Sequence, residues 1–231
     1  MVKRGKKYRK VTEHLDSEKT FAIQEAVEFL KQNSFARFDE TAEMAFRLGV
    51  DPTKSDQAVR GSISLPHGTG KNIRVIVFAS GEQADAAKEA GADEVGFQEL
   101  VDKVKGGWVD FDIAVATAEA MAEVRKLGKV LGPRGLMPNP RNGTVTEDTA
   151  TAVKQFKAGR VEFKMDKTGN VNVPFGKLSF DVAQLEENGR AVISAVMAAR
   201  PQSVKGVYVK KCSVSSTMGP GLALETRELN A

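Results

Sequence analysis

The sequence predicts a two-domain protein of mixed α/β and α+β class. A discontinuous α+β domain is built from both chain ends, residues 1–66 and 160–231, and a Rossmann-like parallel α/β domain, residues 67–159, is inserted between them. Three observations carry this. The ends contain strands whose apolar residues alternate with polar ones, as on a sheet with one buried face. The middle contains continuous apolar strands alternating with short helices, as on a parallel sheet covered on both sides. The rhythm changes at Pro66-His67-Gly68 and again near Gly159. An N-terminal domain standing alone, of about 65 residues, would have a marginal core, which favours insertion.

The first residues, MVKRGKKYRKV, crowd Lys3, Arg4, Lys6, Lys7, Arg9 and Lys10 together. They read either as a solvated, disordered tail or as an arm that lies along phosphates. Polar residues follow at once, which argues against a secretory signal. Phe21, Ile23, Ala26, Val27 and Leu30 recur at helical spacing, so a helix runs from about Thr20 to Gln32. In FDETAEMAFRL, Phe38, Ala42, Met44, Phe46 and Leu48 share one parity, while Asp39, Thr41, Glu43 and Arg47 share the other. That is a half-buried strand with Phe38 on its core side. DPTKSDQ is a turn cluster, VRGSISLP a second strand, and SLPHGTGKN a break.

In the middle, NIRVIVFA and FDIAVAT are buried strands, and GEQADAAKEAGA, FQELVDKVKGG and AEAMAEVRKL are helices. LGKVLGPRGLMPNPRNGT then packs four glycines and three prolines into a run expected to be wholly irregular. Its Lys129, Arg134 and Arg141 suit phosphate, and its prolines equally suit a stiff strap. After Gly159, RVEFKM and VNVPFG flank DKTGN and read as a hairpin. DVAQLEENGRAVISAVMAAR is a helix capped by Asp181 and Gln184 and stopped by Pro201. VKGVYVKKCSVSST closes the chain as a strand running into MGPG. Pro66, His67, Gly68 and Gly159 are the expected hinge, because glycine at both junctions gives the backbone freedom to turn.

Composition excludes several classes. The 231 residues are 41% hydrophobic and 28% charged, with net charge +4 and pI near 9.1. No apolar run approaches the roughly 18 residues of a membrane span. Cys212 is the only cysteine, so no disulfide framework exists and a reducing compartment fits. Histidine occurs only at His14 and His67, too few for a metal site or a histidine relay. HGTGKN fails as a phosphate loop, since Leu65 stands at the first glycine and Asn72 follows Lys71. No enzymatic activity, cofactor or metal is expected. No helix carries the Arg, Asn and Gln of a DNA recognition helix.

Two stretches suit RNA. In ARFDETAE, Arg37 offers a fork for phosphate, Phe38 a stacking face, and Thr41 and Glu43 partners for a 2′-OH or base edge. In SVSSTMGPG, Thr217 offers a hydroxyl, Met218 an adaptable apolar surface, and Gly219 close backbone approach. Each stretch alone also reads as an ordinary strand or turn, ARFDETAE more readily so than SVSSTMGPG.

Together, LGKVLGPRGLMPNP, SDQAVRGSISLPHGTGK, RFDETAE and SSTMGP resemble the bacterial form of the large-subunit ribosomal protein L one family, in the family's order and over essentially the whole chain. The resemblance implies a domain I from both ends, an inserted domain II, and binding of the ribosomal RNA stalk mainly through domain I. It implies partners: large-subunit ribosomal RNA, exit-site tRNA whose departure the stalk assists, and the protein's own operon mRNA leader, which it represses. It also implies a cytoplasmic ribosomal location, no membrane, and a monomer when free. The RNA-binding set is then Arg37, Phe38, Thr41, Glu43, Lys164, Lys167, Thr168, Gly169, Thr217, Met218 and Gly219. Many relatives have lysine where Arg37 stands, and the charge is kept. LGPRGLMPNP matches a family signature in domain II without a physical claim to be the primary RNA site.

Overall fold

A computed structural model describes residues 5–13, 15 and 19–226. In chain order the elements are α1 (Lys6–Thr12), α2 (Ile23–Gln32), β1 (Thr41–Leu48), β2 (Arg60–Ser64), β3 (Val75–Phe78), α3 (Glu82–Glu89), β4 (Glu94–Gly96), α4 (Gln98–Lys105) and β5 (Ile113–Ala116). There follow α5 (Met121–Val124), α6 (Gly128–Leu131), α7 (Thr149–Lys157), β6 (Arg160–Lys164), β7 (Asn170–Lys177), α8 (Val182–Ala198), β8 (Val209–Ser216) and β9 (Leu222–Ala223). The chain forms two compact units, residues 1–70 with 161–231, and residues 71–160.

In the first unit a sheet of order β7-β1-β8-β9 is antiparallel throughout. Its even-numbered β1 residues, Ala42, Met44, Phe46 and Leu48, are buried with Val171, Val173, Phe175, Cys212 and Val214. Helices α2 and α8 cover that face with Ala26, Val27, Leu30, Leu185, Val192 and Val196. Gln184 Oε1 accepts from the Asp181 N–H at 3.1 Å, completing a capping box at the start of α8.

The expected hairpin is corrected. The DKTGN turn forms, but the strands on either side part: β7 joins β1, and β6 pairs with β2 in a sheet of its own. Burial decides this, because the inward residues of β7 complete the core beside β1. Phe163 of β6 meanwhile packs over Gly61 of β2, where an added Cβ would meet its ring at 2.7 Å. The N-terminal segment is corrected too, since Lys6–Thr12 is helical. Lys3, Arg4 and His14 lie outside the described residues.

The second unit has a parallel sheet of order β4-β3-β5. Val75, Val77 and Val115 face Ala87, Val153 and Phe156 of α3 and α7. Ile76, Phe78, Ala114 and Ala116 face Leu100, Val104, Val124, Leu127 and Leu131. Two covered faces explain the unbroken apolar runs. Strand β4 and helix α7 were not among the sequence expectations.

The glycine–proline stretch is not wholly irregular. Leu127 and Leu131 are buried four residues apart, and that anchorage winds Gly128–Leu131 into a helical turn. Further on, Thr144 Oγ1 accepts from the Asn139 N–H at 2.7 Å, and the Ala116 N–H donates to Thr144 O at 2.9 Å. The run is therefore a strap fastened along β5, with Lys129 and Arg134 exposed. No helix among the described residues is long and apolar enough to cross a membrane.

Candidate RNA interface

Glu40 has the parity of Ala42 and Met44, and it is 1% exposed. A carboxylate so placed needs donors. Ser216 Oγ donates at 2.6 Å, the Met218 N–H at 3.0 Å and the Ala36 N–H at 3.3 Å. Burial pushes the Glu40 pKa up, but the hydrogen bonds from Ser216, Met218, Ala36 and Phe35 outweigh it and hold the group below its ordinary 4.5. This buried anion fastens the loop before β1 to the loop after β8.

Neighbouring bonds tighten the junction. Thr217 Oγ1 accepts from the Thr41 N–H at 3.0 Å, and the Thr217 N–H donates to Thr41 O at 3.1 Å. Lys177 Nζ donates to Thr41 Oγ1 at 2.8 Å and to Asp39 O at 3.1 Å. Ser179 holds the Asp39 carboxylate through its hydroxyl at 2.8 Å and its N–H at 3.1 Å. At Gly219 an added Cβ would meet Ser216 Oγ at 2.4 Å, so glycine there admits the serine that binds Glu40.

Left outside are Arg37, Phe38 at 55% exposure and Met218 at 50%, with Glu43 exposed on β1. The strand parity had put Phe38 in the core. The chain bends at Arg37 and Phe38, the strand starts only at Thr41, and Glu40 takes the inward place. The structure thus brings Arg37, Phe38, Thr41, Glu43, Thr217, Met218 and Gly219 to one end of β1.

Lys164, Lys167, Thr168 and Gly169 do not join them. The Leu48 N–H donates to Gly169 O at 2.9 Å, which docks the turn holding Lys167, Thr168 and Gly169 at the other end of β1, roughly 20 Å away by strand rise, while Lys164 ends β6. In that turn the Asp166 carboxylate accepts from the Asn170 and Thr168 N–H groups, each at 2.8 Å, and from Thr168 Oγ1 at 2.7 Å. These bonds, the Asn170 amide first, hold Asp166 at a pKa of about 2. Thr168 is thereby committed to the turn itself.

Between the two clusters runs the outward face of the sheet. Glu43 pairs with Ser215, Ala45 with Ser213 and Asn172, and Arg47 with Lys211 and Asn170. Like charges directly opposite on a sheet repel. Arg47 and Lys211 are both exposed, and an anion between them would relieve the repulsion. Hydroxyls, amides and cations along one open face can bind phosphate and 2′-OH groups, and no nucleophile–base pair accompanies them. Among the described residues no acidic, histidine and cysteine cluster could hold a metal.

Of the expected hinge residues, Pro66–Gly68 are tied down. Asn188, fully buried, accepts from the His67 N–H at 3.1 Å and donates to Gly68 O at 3.0 Å. His67 Nε2 also pairs with Glu187 Oε2 at 2.5 Å. Gly159 follows α7 with φ +103.

The model of the ribosomal protein L1p/L10e family matches residues 30–220. Over all 231 residues and the whole of each relative, the chain is 53% identical to the large ribosomal subunit protein uL1 of Chlamydia trachomatis serovar L2b (strain UCH-1/proctitis). It is 52% identical, again end to end, to the protein of that name from Chlamydia caviae (strain ATCC VR-813 / DSM 19441 / 03DC25 / GPIC). The chain belongs to the ribosomal protein L1p/L10e family. It is a structural ribosomal protein and not an enzyme.

Several residues of the candidate interface escaped the sequence reading. Ser213 and Ser215 alternate with Cys212 and Val214, so parity alone could have placed them outward. Lys177, Ser179 and Lys211 carry no local signal; only the pairing of β7 and β8 with β1 brings them in. Glu40 has the parity of the inward residues but a charge that suits the surface. Its burial needed the structure.

Proposed function

We propose that this constituent of the large ribosomal subunit binds the stalk region of ribosomal RNA through the face just described. The contact starts at Arg37, Phe38, Thr41, Glu43, Thr217, Met218 and Gly219 and continues toward Lys164, Lys167, Thr168 and Gly169. The observation that carries the reading is the Glu40 fastening. It joins the two sequence stretches through buried bonds while Phe38 and Met218 stay half exposed. Exposed apolar groups held by a rigid polar base are suited to stack on bases and sugars. Family membership supports the same reading. The protein acts as a monomer when free, assists the departure of deacylated tRNA from the exit site, and represses its own operon by binding an mRNA leader that imitates the ribosomal site.

Titration of the chain with a stalk-region RNA fragment at several salt concentrations tests this. Affinity should fall with salt by a slope of only a few phosphates. A slope near zero, or equal affinity for duplex DNA of the same length, overturns the reading. Leader RNA should displace the ribosomal fragment if the two share one site.

A further inference from the structure

Helix α1 lies beside the loop that follows β8. Gly5, Lys6, Lys7 and Tyr8 form one wall of an open cleft of about 810 Å³, and Phe35 with Ser215–Gly219 and Gly221 form the other. Among the described residues no acidic side chain lines it. Glu40, beneath Ser216 and Met218, is buried and already bonded to both. The cleft therefore has cations on one side and hydroxyls, exposed methionine and an aromatic edge on the other.

None of the α1 residues is buried, and its first residue follows Gly5 without a side-chain cap. Seven residues are too few to hold a helix in water by themselves. The helix is thus a lightly held basic wall at the edge of a firmly built polar floor.

We propose that α1 is the second jaw of the RNA site, and that the cleft takes a ribose–phosphate segment of the bound RNA. This rests on the RNA reading above and adds to it a residue set, Lys6, Lys7 and Tyr8, and a place. Lys6 and Lys7 meet phosphates, Ser215 and Thr217 meet ribose hydroxyls, and Phe35 and Met218 lie against sugar or base.

Two measurements on the full chain test the proposal. In the first, Lys6→Ala with Lys7→Ala is titrated against the stalk RNA fragment. Alanine favours the helix, so a thermal melt should be unchanged. Affinity should drop about tenfold near physiological salt, and the logarithmic salt slope should shrink by about 1.4 to 1.8 for two lost phosphate contacts. In the second, Gly5→Cys carries a tethered hydroxyl-radical probe. An added Cβ there meets nothing within 4 Å, and Cys212 is buried with its thiol pKa pushed up to about 12, so position 5 is labelled alone. The bound RNA should be cut at the nucleotides beside the cleft. If the unaltered protein does not bind the fragment, the RNA reading and this proposal fall together. If it binds but the double variant binds equally well, or the tethered probe cuts nothing, this proposal falls alone.

Discussion

Thr217 illustrates how a single hydroxyl serves two structures. Its oxygen accepts from the Thr41 N–H while its own N–H reaches Thr41 O. Thr217→Val keeps shape and strand propensity but removes that acceptor. Stability should fall by about 0.5–1.5 kcal/mol, the net worth of one hydrogen bond, and RNA affinity should fall with it. A thermal melt paired with an RNA titration measures both; unchanged binding would leave Thr217 a purely structural link. Glu40 makes the stronger case. Glu40→Gln keeps the volume but gives an amide where donors converge, so about 1–3 kcal/mol should be lost. The pH dependence has a definite sign. The folded pKa lies below the ordinary 4.5, so the stabilisation is complete above 4.5 and is lost as pH falls through the folded value. The melting difference between wild type and Glu40→Gln should therefore narrow as pH drops below 4.5. A constant difference would mean that the charge of the carboxylate is not its source. From sequence, the candidate contacts at 37–43 and 217–219 were legible from their aromatic, hydroxyl and charged groups together with the family resemblance. The bond that unites them was not, because Glu40 looks like any acidic residue until its burial is known.

At the scale of elements, parity tells which residues of β1 point inward, because one covered face imposes a period of two. It does not tell which strand lies beside which. DKTGN correctly announces a turn, and the tight Asp166 bonds form it, yet the neighbours of that turn belong to different sheets. Pairing is fixed by which residues complete a core far away in sequence, here Val171 and Val173 beside β1 and Phe163 above Gly61. Caps are more legible, since they are local: Asp181 and Gln184 announce α8, and the helix begins at Val182. Asp181→Ala should cost about 0.5–2 kcal/mol. That loss would appear as a lower melting temperature, with the RNA salt slope unaffected because Asp181 lies outside the proposed contact. A changed slope would show that α8 steers the RNA face. Helix α7 and strand β4 were missed because TATAVKQFK opens on β-branched residues that favour strands, and a three-residue strand is too short to show any period.

At the scale of the whole molecule, the cores decide what can be separated. The cluster under the four-stranded sheet draws its buried members only from Phe21–Leu65 and Phe163–Leu224. The clusters on the parallel sheet draw theirs only from Val75–Phe156. Neither core includes a buried side chain from the other unit. An inserted unit can then be replaced by a short flexible linker, provided the ends it leaves are exposed. Replacing residues 71–160 by a few glycines and serines should give a protein that melts cooperatively by circular dichroism. It should bind the stalk RNA fragment in filter titrations, because every residue of the proposed interface lies outside the removed interval. Residues 71–160 alone should also fold, with both faces of their sheet covered, and should bind that RNA poorly. An unfolded outer fragment would mean that its core depends on the middle after all. A folded outer fragment without affinity, beside a middle that binds, would move the RNA surface to the strap of residues 127–144 and its exposed Lys129 and Arg134.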